Sequence, residues 1–267
     1  MRAMEDTSAQ QPGPSILDLP LRPLRADDPL RWLRLGWADF VRAPGIGVFY
    51  GACFAVMGWI LLWTYSHAPA WVLALSAGFL LMGPFLCLGL YDASRKLERG
   101  EKPALVDSLL AWRSRTGTMA IFGGVLLILE MLWGRASLVV FAVSFDGMPD
   151  FKGSLLALLD PENLGFIVAY LAVGAVFAGL IFAISVVSIP MILDRSVDAV
   201  SAGLTSLRLC LTQPWVMLIW GAAITLLVVL AMLPGFVGLL VVGPVVGHAS
   251  WHAYRGAVGD GPGEPAS

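Results

Sequence analysis

Apolar residues run in six long stretches, roughly 46–66, 70–91, 118–144, 164–192, 214–232 and 234–251, with most polar and charged residues gathered between them. Each stretch is long enough to cross a hydrocarbon core of about 30 Å at a helical rise of about 1.5 Å per residue. Backbone N–H and C=O groups find no water partners in lipid. Runs this long and this continuously apolar are not barrel strands, so the pattern predicts six transmembrane helices.

A shorter helical period precedes the first stretch. Over residues 28–42, Leu30, Leu33, Trp37, Phe40 and Val41 fall on one side at 100° per residue, and Arg31, Arg34, Asp39 and Arg42 on the other. Asp28 is placed to cap this helix and Pro29 suits its first turn. Such a helix lies along the cytoplasmic interface with Arg31, Arg34 and Arg42 reaching anionic headgroups, or packs beneath the bundle; both readings stand.

The arrangement recurs. Asp198 to Pro214 repeats the spacing of Asp28 to Pro44, and Gly243-Pro244 aligns with Gly83-Pro84, which brings Trp251 onto Tyr91 and Arg255 onto Arg95. A looser copy spans about 103–194, with a short helix around Ser108–Arg115 and Pro190 near the end of its second stretch. The expected fold is an all-α membrane protein of three hairpin units, each preceded by a cytoplasmic interfacial amphipathic helix. The prolines are read as hinges or helix stops. Small residues four apart, namely Gly47, Gly51 and Ala55, then Gly174 and Ala178 beside Ala175 and Gly179, then Gly243 and Gly247, are read as close helix contacts.

Charge orients the bundle. Six arginines precede the first stretch, from Arg2 to Arg42, and Arg95, Lys96, Arg99, Lys102, Arg113 and Arg115 lie between the second and third. Arg195, Arg208 and Arg255 fall on the same side, and Lys152 stands alone on the other. The positive-inside rule then puts both termini in the cytoplasm. Residues 1–26, rich in Pro, Gln and Ser, and 259–267 read as disordered tails around a membrane domain at 27–258. At 58% hydrophobic and 13% charged residues a soluble class is excluded, and a net charge of −2 gives no sign of a nucleic-acid partner. Cys53, Cys87 and Cys210 read as free packing thiols. The outer segment 145–163 carries Asp146, Asp150, Asp160 and Glu162, which solvate a loop, dock a partner or gather cations.

Few residues carry candidate chemistry. Glu130 lies near mid-bilayer, where charge is costly, so its carboxyl has to be neutral or paired within the bundle. There it can relay protons or bind a cation. Arg135, five residues on, is poorly spaced for a pair with it and reads as an anchor at the outer interface. His248 and His252 share one helix face at the cytoplasmic end, which suits two ligands of one metal or interfacial hydrogen bonds. A third ligand would have to be Asp92, Asp194 or Cys210, so no metal or other cofactor is assigned. There is no Walker sequence and no GxSxG, and Gly45-Ile46-Gly47 lacks the strand that a dinucleotide fold needs, so an enzyme is not expected.

Three segments carry a resemblance: Asp27-Asp28-Pro29 with the following WLRLGWADFVRAPG, DRSVDAVSAGLTSLRLCLTQPW at Asp194–Trp215, and GPVVGHASWHAYR at Gly243–Arg255. In these the chain resembles a family of predicted bacterial inner-membrane proteins classed as a domain of unknown function. The resemblance implies a six-span membrane protein and no activity. Some members are labelled cytochrome oxidase subunit I, but a haem–copper core needs more histidines than the three here. Two functions are carried forward. One is a non-enzymatic accessory or scaffold protein, bound to lipid or to another membrane complex. The other is a small-solute or proton-coupled transporter using Glu130.

Overall fold

The computed structural model describes residues 19–68, 71–144 and 164–259. The acidic outer segment 145–163, most of the N-terminal tail and residues 260–267 lie outside the described residues. Within them the chain is helical, without strands: α1 (Asp28–Arg42), α2 (Pro44–His67), α3 (Val72–Glu98), α4 (Leu105–Leu110) with a 3-10 turn at Ala111–Arg115, α5 (Thr116–Ser144), α6 (Leu164–Ser185), α7 (Ser188–Asp194), α8 (Ala199–Thr212), α9 (Pro214–Met232) and α10 (Leu239–Ala257).

Among the described residues, five stretches are long and apolar enough to cross a membrane: Pro44–His67, Leu75–Glu98, Leu105–Ser144, Leu164–Asp194 and Pro214–Met232. The sixth expected helix departs from its predicted bounds. Gly235 and Phe236 adopt positive φ, 64° and 66°, so the chain turns there and α10 begins only at Leu239. Its second half carries His248, Ser250, His252 and Arg255 and is packed inside the protein. The fourth expected helix, 164–192, is broken. A proline ring collides with the carbonyl four residues back. Pro190 therefore opposes Val186, and α6 stops at Ser185 before α7 restarts at Ser188. Pro84 and Pro244, by contrast, lie within continuous helices.

Pro44 and Pro214 start their helices, and the residues before them are barred from helical angles by the proline ring. Ala43 has φ −128° and ψ 56°, and Gln213 has −132° and 55°. Each donates its N–H to the carbonyl four residues back, Asp39 or Leu209, at 2.9 Å. The two joints are one geometry used twice. The starts of α1 and α8 differ, however. Asp198 caps α8 by accepting from the Val200 and Ser201 N–H groups at 2.9 Å. Asp28 does not cap α1: it is the first helical residue, and its carboxylate accepts from the Arg25 N–H at 2.7 Å.

Helix packing follows a pattern. α2 packs with α3, α5 with α6, and α9 with α10. The short helices α1, α4 and α8 lean on α10, α3 and α6. α10 also packs on α2, and α3 on α5, but α6 and α9 make no comparable contact. The densest core lies at the end holding α1, α7 and the C-terminal turns of α3 and α10, where Trp251, Tyr254, Ile192 and Leu209 are fully buried. α6 buries no residue at all. Its apolar side chains, Val168, Leu171 and Val176 among them, are exposed, as suits a helix whose solvent is lipid.

The small-residue stripes divide the same way. A Cβ on Gly36 would meet the Val245 carbonyl at 2.5 Å, and one on Gly51 would strike the Leu240 backbone, so α1 and α2 touch α10 directly through their glycines. Nothing lies within 4 Å of a Cβ on Gly179. The stripe on α6 therefore does not make the close contact expected of it. Residues 19–26, assigned from sequence to the tail, form a strap. Arg22 N–H bonds the Ala257 carbonyl at 2.9 Å, Gly259 N–H bonds that of Pro20 at 2.8 Å, and Gln213 bridges Arg22 and Leu24.

Candidate functional site

Two sites take shape from this framework. The first lies where α6 and α9 fail to meet. A cavity of about 920 Å³ opens there. Gly174, Ala178 and Gly179 of α6 form one wall and Gly221 and Ala222 of α9 the other. Its floor includes Cys210 of α8 and Pro214. Small side chains make the space, and Phe182 spans it at one point, at ordinary van der Waals distance from a Cβ on Gly221.

Glu130 of α5 looks into this cavity together with Trp133. It is 8% exposed, and its Oε1 has no hydrogen-bond partner. A buried carboxyl oxygen without a donor is costly in a low-dielectric surrounding, so it marks a place where something else supplies one. The two hydroxyls lining the cavity donate within their own helices, while the Trp133 indole N–H stands at the wall beside Gly174. The Ser185 hydroxyl donates to the Ile181 carbonyl at 2.6 Å and that of Thr225 to the Gly221 carbonyl at 2.9 Å. Arg135 is exposed on α5 and does not line the cavity, consistent with the spacing argument that kept it apart from Glu130.

The second site is a polar knot joining α1, α3 and α10. Asp39 is buried at 4% exposure, on the α1 face that also carries Trp32 and Gly36. The sequence reading put it on the polar face with Arg31, Arg34 and Arg42; those three are exposed and Asp39 is not. Its Oδ2 accepts from the Ser94 hydroxyl at 2.7 Å and from His252 Nε2 at 2.8 Å. Ser94 Oγ also lies 2.8 Å from His248 Nδ1. Its one proton goes to the carboxylate, so His248 must donate through Nδ1, which leaves Nε2 a bare acceptor. That nitrogen is buried without a partner. Burial pushes the Asp39 carboxyl up, but the hydrogen bonds from His252 and Ser94 outweigh it and hold the group below its ordinary value.

The histidines thus meet a serine and an aspartate rather than each other, and the residues proposed as a third ligand stand elsewhere. Asp92 pairs with Arg95 at 2.5 Å and with Lys96 at 3.4 Å, and Lys96 reaches Asp107 of α4 at 2.7 Å. Asp194 accepts from the Tyr254 hydroxyl at 2.9 Å, and Arg195 donates to that hydroxyl at 2.8 Å. Cys210 lies 3.8 Å from the Ala183 carbonyl. Among the described residues, no three His, Cys, Asp or Glu side chains gather as a metal-ligand set. Of the residues singled out from sequence, Glu130 lines the cavity and His248 and His252 join the polar knot, whereas Asp92 stands apart; Ser94 and the burial of Asp39 were missed. The signal for Asp39 was its seven-residue spacing from Trp32 with Gly36 between, which places all three on one side of the helix.

With helical elements throughout the described residues, five of them apolar and of spanning length, the chain is an integral membrane protein. Residues 72–194, from the start of α3 to the end of α7, match the model of a family described as Predicted integral membrane protein (DUF2189). That match to a predicted integral membrane family covers less than half of the chain, and the motifs that carried the resemblance lie almost wholly outside it. No curated protein and no solved structure matches the chain.

Proposed function

We propose that this chain crosses the bacterial inner membrane six times, with both ends cytoplasmic, and works as a carrier for a small solute with Glu130 as its coupling group. Its six spans are three hairpins, α2–α3, α5–α6 and α9–α10, led by interfacial helices α1, α4 and α8. Support comes from the cyclic packing: each short helix leans on the second helix of the preceding hairpin, and the joints at Ala43 and Gln213 share one geometry. Two of the three seams between hairpins are closed, α10 on α2 and α3 on α5.

The third seam is open, and the observation that carries the carrier reading is the buried, unpartnered Glu130 carboxyl facing it. A packed scaffold has no use for such a group, whereas a site that binds and releases a solute does. In cells, Glu130→Gln is expected to abolish the uptake or efflux phenotype of a deletion strain's complementation at unchanged protein level. Full activity in that variant would end the reading. The accessory role keeps one observation in its favour, because α6 has no buried residue and leaves Val168, Leu171 and Val176 exposed to another membrane protein. A stoichiometric companion in mild-detergent extracts of native membranes, lost on placing arginine at Val168 or Val176, would support it.

A further inference from the structure

We infer that the open seam takes hydrophobic monocations, amines or onium ions with a bulky apolar body, in exchange for the Glu130 proton. This rests on the seam being a binding site and names what it selects.

The lining decides the class by what it offers. Its one carboxylate is that of Glu130; the Ser185 and Thr225 hydroxyls donate to carbonyls of their own helices, and the Trp133 indole N–H adds a single neutral donor. With no lysine or arginine in the lining, an anion finds no counter-charge. A sugar or polyol would bury hydroxyls without partners, at a cost for each. A bare metal ion needs several oxygen ligands, and a single carboxylate does not make a site. A cation with an apolar body satisfies every wall: the carboxylate neutralises it, and Trp133, Phe177 and Phe182 present aromatic surface. The volume of about 920 Å³ lies at the upper end of the range for small-molecule pockets, about 300–1,000 Å³.

Exchange follows from charge balance. Within the bilayer the carboxyl tolerates one positive charge, which is either a proton or the bound cation. When the cation enters, the O–H bond of Glu130 breaks and one proton leaves to the aqueous phase. When the cation departs, one proton returns. The apolar body reaches the site through the gap between α6 and α9, where the helices are not packed together.

The test uses the purified full-length chain in detergent micelles, with tetraphenylphosphonium as the cation and tetraphenylborate as an anion of the same size and shape. Calorimetric titrations at several pH values, and proton release in weak buffer, give affinity and stoichiometry. The expected result is binding of the phosphonium with one proton released and affinity rising about tenfold per pH unit while the site is protonated. Glu130→Gln should abolish proton release and the pH dependence, while Glu130→Asp, which keeps the carboxyl, should retain the release at weaker affinity. Gly179→Leu, which adds a side chain where nothing lies within 4 Å, should fill the cavity and block binding without disturbing the fold. Equal binding of both ions, or unchanged pH dependence in Glu130→Gln, overturns the cation assignment. If that charge-blind binding is still blocked by Gly179→Leu, the seam stands as a site for another class. If neither ion binds, or Gly179→Leu leaves binding intact, the seam reading falls as well.

Discussion

A carboxylate 4% exposed, with a serine and a histidine donating to one of its oxygens, binds three helices together through a few atoms. Asp39→Ala should cost about 3 kcal/mol, because the Ser94 hydroxyl and His252 Nε2 lose the acceptor they share. Asp39→Asn should cost less, about 1–2 kcal/mol. Thermal unfolding in detergent, followed by fluorescence, reads both. The Asp39 carboxyl is held below its ordinary value of 3.8, so its contribution is present above that pH and is lost as pH falls through the lowered value. The wild type should therefore lose stability in that acidic window more steeply than Asp39→Asn, and parallel curves would refute the assignment. Counting residues by polarity hid this group, because a charge in an amphipathic pattern is read as solvent-facing. Gly36 was the better guide, since α1 comes closest to α10 there. Gly36→Ala should destabilise by about 1–3 kcal/mol through backbone overlap, and Gly45→Ala, with nothing within 4 Å, should not.

At the level of elements, the starts of α2 and α9 were legible because a proline dictates its own angle and that of its predecessor. Caps were legible only in part. Asp198→Ala should cost about 1 kcal/mol and Asp28→Ala much less on the stability of the solubilised protein, because only the first carboxylate accepts from the N–H groups of its helix start. Which proline breaks a span was not legible. Pro84 and Pro244 leave their helices continuous, while the chain opens before Pro190. The difference is a partner some twenty residues away. Ser206 of α8 donates to the Ala183 carbonyl at 2.7 Å and the Ser188 hydroxyl to the Ile184 carbonyl, so carbonyls released at the break find hydroxyl partners. Ser206→Ala should remove about 1–3 kcal/mol, measured as a lowered thermal transition.

For the whole molecule, apolar run length and arginine placement carried the membrane class and the proposed orientation. The open seam was invisible to both, since small residues four apart read identically whether a helix covers them or not. The orientation is checked with maleimide on intact cells: a cysteine at Asp150 should label from outside, and one at Lys102 should label only after permeabilisation. Labelling of both, or of Lys102 alone, would reverse or dissolve the six-span arrangement.

The strap has a consequence for how such a chain can be written. Pro20 and Gly259 are hydrogen-bonded neighbours, and Leu21 bridges Val258, so the polypeptide meets itself where it leaves the bundle. A closed loop of three similar segments has no obligatory beginning. Joining residues 19 and 259 by a short linker and cutting between Glu101 and Lys102, in the exposed turn after α3, should yield a circular permutant that inserts with the same orientation and melts close to the parent. The order in which the helices leave the ribosome would then be a matter of ancestry, and the interlock of α1 on α10 would become a local contact, formed before the final hairpin α2–α3 is made.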